Sequence, residues 1–442
     1  MRQFVLPALL ACCTVPVWAA QAFGAEPPSR HGVDAPELAR LGNYAVGFKT
    51  LHLVEHGQAD PLAFDAVKGS APLVDRVLDV DLWYPARAVP VAAHMVYEAS
   101  LPSEPPAAAA HFSIPGIAVR NAPFTGKHLP LVIVSHGYSN DPAAMTWLTE
   151  NLASKGYVVA AIRHDDPPIT DRTRFAQLLM RRPLDIVFVA RTLQSTLAAG
   201  QRVDPTRTAL IGYSMGGYGV LTAAGAMLDP ASRAVTSVPG GLLLPFARGG
   251  ASRDAIVVKG LRAVVAISPA GGGALAAWGE QGLRSITAPL LLIAGDHDRT
   301  VDYATGARAI FARADAAQRY LLTFKGAGHS LGLNPVPDGM RQRLWDEDWF
   351  EDPVWRKERV NAINAHFITA FLDLYLKDDE SRAAYLDVPV AESDAGVWPS
   401  AVPPLDYDAY SPGTAAITVW KGFQRNHAAG LEFLQAPAQS AR

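Results

Sequence analysis

Short apolar runs alternate with longer stretches of helical period along most of this chain. Leu129 to Ser135, Tyr157 to Ile162, Thr208 to Ile211, Ala263 to Ile267, Leu290 to Ala294 and Arg319 to Phe324 are apolar almost throughout. Such runs predict strands buried on both faces, as in a parallel sheet covered by helices on either side. Between them, Pro142 to Lys155 has a proline in its first turn, Leu148 and Leu152 four apart, and Gly156 as a stop, which predicts a helix. Pro183 to Ala199 is amphipathic, and Tyr218 to Met227, rich in Ala, Gly and Leu, reads as a buried helix. Tyr303 to Ala314 and Val360 to Leu376 complete the helical set. Near the start, Tyr44 to Glu55 and Leu73 to Tyr84 read as strands. In the second, Val77, Asp79, Asp81 and Trp83 interleave with Leu78, Val80, Leu82 and Tyr84, so one face is more polar, which suits an outer antiparallel pair. The pattern predicts an α/β fold with one sheet of about eight strands, mostly parallel, with helices on both faces. Ala86 to Lys127 reads as loop.

Two segments break the alternation. Residues 228–260 carry many glycines and no period; residues 331–358 place Trp345, Trp349, Phe350 and Trp355 among acidic residues. Either would suit a lid over a site, and surface loops packed on the body are the equal alternative. The body is expected over 37–390, and 391–442 as an extension packed on it or partly disordered.

Residues 1–25 read as a secretory signal peptide: Arg2, an apolar stretch from Phe4 to Ala20, then small residues at Ala19-Ala20 and Gly24-Ala25. Two prolines and the lack of a stop-transfer pattern argue against a permanent membrane span. The cysteines, Cys12 and Cys13, both fall in this leader, so the mature chain is expected to be secreted or periplasmic and free of thiols. The alternative is a lipoprotein anchored at Cys12 after Leu9-Leu10-Ala11, for which the preceding apolar run is short.

The chain has 442 residues, 49% hydrophobic and 18% charged, with a formal net charge of −3. That supports a large core and shows no basic block, so nucleic acid is not an expected partner. The acidic run Asp346-Glu347-Asp348 to Glu351-Asp352 lacks the glycine and spacing of a calcium loop, so no metal site is expected.

The candidate chemistry centres on Gly212-Tyr213-Ser214-Met215-Gly216-Gly217, set between a predicted strand and a predicted helix. Glycines on both sides remove side chains where strand and helix crowd together, so Ser214 can take a strained backbone angle. The Met215 N–H, in the first turn of the helix, is free to bind an anion. A serine hydroxyl needs a base. Gly295-Asp296-His297-Asp298 follows one later strand and Gly326-Ala327-Gly328-His329 the last, both at the carboxyl edge where such sheets carry their sites. His329 is the expected base, and Asp298 or its rival Asp296 the orienting acid, a choice that the resemblance below turns toward Asp298. A second oxyanion donor is expected from Ser135-His136-Gly137-Tyr138, namely the Tyr138 N–H, whose ring would also line the substrate site. His136 and His164 read as structural histidines. His164 and Trp147 are secondary candidates for touching substrate.

With these residues in place, the chain resembles the α/β-hydrolase superfamily. It is most similar to the secreted bacterial dienelactone-hydrolase-like group, related to platelet-activating-factor acetylhydrolases. The pieces that carry the resemblance are Asp81-Leu82-Trp83-Tyr84-Pro85, Val134-Ser135-His136-Gly137, Leu152 to Val159, Arg182-Pro183-Leu184-Asp185-Ile186, the segment around Ser214, Gly295-x-x-Asp298 and Gly326-Ala327-Gly328-His329. The resemblance implies a Ser214, Asp298, His329 triad, oxyanion donors at Tyr138 and Met215, and no cofactor. Dienelactone hydrolases proper use a cysteine nucleophile, which this chain lacks at that place. The Ser214 and Trp147 segments also look like cutinases and polyester hydrolases. The expected function is a secreted serine carboxylic-ester hydrolase. A phospholipid acetylhydrolase or polyester hydrolase, an amidase or peptidase, and a non-catalytic binding protein on the same fold are the alternatives.

Overall fold

The structure, a computed structural model, describes residues 32, 34–89, 93–103, 109–398, 417–424 and 427–439. The predicted leader, Cys12 and Cys13 lie outside the described residues. The elements in order are β1 (Ala45–Ala59), β2 (Leu73–Ala86), β3 (Val96–Pro102), β4 (Ala109–Pro115), β5 (Val119–Arg120), β6 (Leu129–Ser135), α1 (Thr146–Ser154), β7 (Val158–Arg163), α2 (Phe175–Ala199), β8 (Val203–Tyr213), α3 (Met215–Ala223) and α4 (Arg233–Thr236). They continue with β9 (Leu261–Ile267), β10 (Leu290–Gly295), α5 (Ala309–Arg313), β11 (Arg319–Phe324), α6 (Leu344–Asp348), α7 (Lys357–Leu376) and β12 (Leu431–Ala436).

One sheet runs in the order β12-β11-β10-β9-β8-β6-β7-β2-β1-β5. From β7 to β11 the pairings are parallel; β2 joins β7 antiparallel, and β12 joins β11 antiparallel. Alternate side chains of each central strand enter opposite cores. Val132 and Val134 pack with α1 and α7, whereas Leu131 and Ile133 pack with α2 and α3. The fully apolar runs follow directly from this, since both faces of these strands are covered.

The sheet has ten strands rather than the expected eight or so. The additions are β5, too short to show a period, and β12, which returns from the C-terminal extension to cover the edge of β11. The stretch read as loop from Ala86 holds a separate hairpin of β3 and β4. Its inward residues Tyr97, Leu101, Phe112 and Ile114 are buried, and Tyr97 Oη ties it to the body by accepting from Trp83 Nε1 at 2.8 Å and donating to Glu150 at 2.8 Å. Strand β8 starts earlier than the apolar run from Thr208, at Val203-Asp204-Pro205, where the register against β6 slips.

Helix α2 begins well before Pro183, where the sequence places its start. Proline at 183 cannot donate to the carbonyl of Leu179. The Tyr218 hydroxyl donates to that carbonyl at 2.8 Å instead, so the helix runs through the proline without an orphaned acceptor.

Neither segment outside the alternation stands off the body. Leu228, Val235, Leu243, Ile256 and Val258 pack into the core beside α2, and Leu331, Leu333, Met340, Phe350 and Trp355 into the core beside α7.

The edge strand β12 is anchored by Phe433, whose ring stacks on Phe367 at 4.8 Å and is 1% exposed. Phe433→Ala is expected to cost about 3–5 kcal/mol of unfolding free energy, read by urea denaturation. A loss below about 1 kcal/mol would mean that the C-terminal strand lies outside the cooperative unit.

Candidate active site

The chain turns sharply from β8 into α3 at Ser214, whose backbone sits at φ 53, ψ −116. The turn leaves no room for side chains beside it. A Cβ on Gly212 would meet the Gly216 carbonyl oxygen at 2.2 Å, and one on Gly216 would meet the Ser135 carbonyl oxygen at 1.9 Å. Ser214 N–H donates to the Ile267 carbonyl at 2.9 Å, and Ala270 N–H donates to the Ser214 carbonyl at 2.9 Å, so the neighbouring strand end grips both sides of the strained residue.

The structure brings Ser214, His329 and Asp298 together. Ser214 Oγ lies 2.9 Å from His329 Nε2, and His329 Nδ1 lies 2.7 Å from Asp298 Oδ2. An ionised carboxylate only accepts, so Nδ1 carries the hydrogen and Nε2 is left to accept from the serine. Asp298 is held in turn by the N–H groups of Thr300 and Val301, both donating to Oδ1 at 2.9 and 3.1 Å. Asp296 points elsewhere: its Oδ1 accepts from Gly326 N–H at 2.6 Å and ties the end of β10 to the loop carrying His329.

The Tyr138 N–H lies on the loop after β6, and the Met215 N–H is at the start of α3, next to the serine in the chain. Among the described residues neither donates to another protein group. The Tyr138 hydroxyl donates to the Pro168 carbonyl at 3.2 Å, and burial pushes its pKa up to about 12, so it stays a neutral phenol. Among the described residues no group of three His, Cys, Asp or Glu side chains converges as a metal site.

Two secondary candidates lie elsewhere. His164 is buried and both ring nitrogens are engaged, Nδ1 with Asp185 at 2.9 Å and Nε2 with Ser135 Oγ at 2.8 Å. Burial, together with the Arg182 and Arg76 charges, pushes its pKa well below the ordinary histidine value. It is a neutral imidazole buried inside the fold, bridging Asp185 and Ser135. Trp147 is also buried, with Nε1 donating to the Gly332 carbonyl at 2.8 Å. It braces the segment after His329. It also lines a cavity of about 820 Å³ that Phe112, Asn334 and Val336 share and that contains none of the serine, histidine or aspartate just described.

Sequence reasoning missed the groups that hold these loops. Arg182 is fully buried behind the Ser135–Tyr138 loop; its only signal was the Arg182-Pro183-Leu184-Asp185 stretch, which nothing in the period links to that loop. On the other side, residues 351–357 grip the His329 loop. Gly328 N–H donates to Asp352 Oδ2 at 2.7 Å, and the buried Lys357 Nζ donates to the Ser330 carbonyl.

Burial pushes the Lys357 pKa down to about 7, against the pull of Glu351, Asp352 and Glu358. Between pH 7 and about 10.5 the unfolded chain therefore holds a proton that the folded chain has lost, so stability rises with pH across that window. Lys357→Met removes this contribution. The melting temperature of the variant relative to the wild type is expected to be highest near pH 7 and to fall as pH rises to about 10. Parallel curves would show that Lys357 does not titrate there.

Residues 119–239 match a family described as PETase, PET hydrolase-like, a stretch that includes Tyr138, Ser214 and Met215 but stops short of Asp298 and His329. Over 90 residues, 20% of this chain, it is 32% identical to a cutinase of Thermobifida alba and 33% identical to cutinase 2 of Thermobifida cellulosilytica. The matched stretch spans 28% and 32% of the length of those relatives. The fold is similar to that of a ferulic acid esterase from Streptomyces cinnamoneus, with a TM-score of 0.52 and 21% identity over 78% of this chain and 94% of that one. A mostly parallel sheet with helices on both faces, a glycine-flanked serine between strand and helix, and the likeness to the esterase structure show that the chain has an α/β-hydrolase fold.

Proposed function

We propose that this chain is a serine carboxylic-ester hydrolase. The observation that carries the proposal is the hydrogen-bonded line Ser214 Oγ, His329 Nε2, His329 Nδ1, Asp298 Oδ2 beside two unengaged N–H groups. As Ser214 Oγ attacks the ester carbonyl, its proton passes to His329 Nε2. The carbonyl oxygen becomes an oxyanion that accepts from the Tyr138 and Met215 N–H groups, which are fixed before the charge appears. Collapse breaks the bond to the alcohol oxygen, and the alcohol leaves with the proton from His329. Water then repeats the sequence on the acyl-enzyme and frees the acid. Asp298 holds the tautomer and stabilises the imidazolium.

The PET hydrolase-like match and the cutinase similarity favour polymer or other bulky esters over phospholipid acetyl esters. The leader reading from the first 25 residues favours action outside the cytoplasm, and no helix among the described residues is long and apolar enough to cross a membrane.

Ser214→Ala is expected to lower turnover on p-nitrophenyl butyrate by about 10⁶ with folding intact, and a fluorophosphonate probe to label the wild type at Ser214. Asp298→Asn is expected to lower turnover by about 10⁴, and Asp296→Asn far less. Labelling at another serine, a reversed order of the two aspartates, or faster cleavage of a peptide anilide than of the ester would each refute the corresponding assignment. N-terminal sequencing of protein recovered from its host is expected to place the first residue between Ala20 and Glu26; a chain beginning at acylated Cys12 would instead put it on a membrane surface.

A further inference from the structure

We propose that Arg182 is a positioning residue for the oxyanion site, acting through the peptide bond between Gly137 and Tyr138. The inference rests on the esterase reading of Ser214. Arg182 Nη2 donates to the Gly137 carbonyl at 2.8 Å, and Nη1 donates to the His136 carbonyl and, at 3.1 Å, to Ser135 Oγ. The remaining edge of the guanidinium pairs with Asp166, whose Oδ2 also accepts from Ser139 N–H at 3.0 Å. The buried ion pair therefore holds the carbonyl before Tyr138 and the N–H after it.

A trans peptide is planar, with its C=O and N–H pointing in opposite directions. Turning the Gly137 carbonyl into the protein, onto Arg182, turns the Tyr138 N–H outward on the other side of the same plane. That N–H has no acceptor among the described residues, which is the state an oxyanion donor needs before substrate arrives. A cation on the carbonyl oxygen also polarises the amide and strengthens its N–H as a donor, and the effect is larger where water is excluded. Only arginine has the planar fork that reaches two successive carbonyls and a carboxylate together. The neighbouring imidazoles add no competing charge, since burial and Arg182 itself push the His136 pKa well below its ordinary value. Helix α2 can carry Arg182 this close because it packs against Gly219 of α3, where a Cβ would lie 2.7 Å from Ile186 and 3.3 Å from Arg182 Cβ.

A structural ion pair and a positioning pair predict different kinetics. Arg182→Lys keeps the charge but cannot hold both carbonyls and Asp166. On p-nitrophenyl butyrate its kcat is expected to fall about 30- to 100-fold while KM stays within about twofold. Affinity for a butyl trifluoromethyl ketone, which binds as a tetrahedral oxyanion, is expected to fall by the same factor as kcat, and the pH–rate profile to keep its midpoint. Should Arg182→Lys fail to fold, Arg182→Met combined with Asp166→Asn removes both buried charges together and carries the same expectation. A folded variant with kcat within about threefold of wild type, or one that loses kcat while ketone affinity is unchanged, overturns the inference. Ser214→Ala is measured in parallel: if it stays active, the esterase site itself has been misassigned, whereas an inactive Ser214→Ala beside a fully active Arg182→Lys removes only the role given to Arg182.

Discussion

The site depends on one strained residue. Ser214 occupies a backbone region that non-glycine residues avoid, at a cost on the order of 1–3 kcal/mol. It stays there because the two hydrogen bonds to β9 and its following loop grip it, and because Gly212 and Gly216 let backbone meet backbone. The same turn sets the reach of Ser214 Oγ to His329 and starts α3 at Met215, freeing an N–H at the mouth of the sheet. Relaxing the turn would move nucleophile and donor together, so the strain and the geometry are one feature.

Around this turn the protein keeps buried charge where it orders loops. Arg182 with Asp166 holds the loop after β6. Arg76 with Asp185 and His164 supports that loop from below, and Asp352 and Lys357 each hold the loop that carries His329 by a separate hydrogen bond, to Gly328 N–H and to the Ser330 carbonyl. Buried pairs of this kind add little net stability over a well-packed apolar substitute, because desolvation offsets their attraction. What they do add is direction: a carbonyl or N–H bonded to a buried charge has one orientation. All three clusters lie against loops at the carboxyl edge of the sheet, whereas the cores on its two faces are closed by apolar packing. The segment 331–358, expected either to form a lid or to pack as surface loop, is packed in this structure and supplies the grip on His329 through Asp352 and Lys357.

The sequence by itself determined the central sheet and the order of the site. Runs such as Leu290 to Ala294 are apolar on both faces, so period and location coincide, and the glycine-flanked serine marks its own backbone. Serine, aspartate and histidine each follow a strand that could be recognised alone, so their shared edge followed from topology. Tertiary structure decided the rest, wherever the deciding partner is far along the chain. Asp296 and Asp298 are equivalent in sequence and differ only in what stands opposite them, Gly326 or His329. Pro183 reads as a helix start until Tyr218 supplies the missing donor. Strand β12 has no meaning until β11 offers an edge, and the β3–β4 hairpin none until Trp83 and Glu150 meet Tyr97. Arg182 sits on a helix whose period accounts for its burial but not for its partners, and only the folded chain brings its guanidinium to the carbonyl of Gly137.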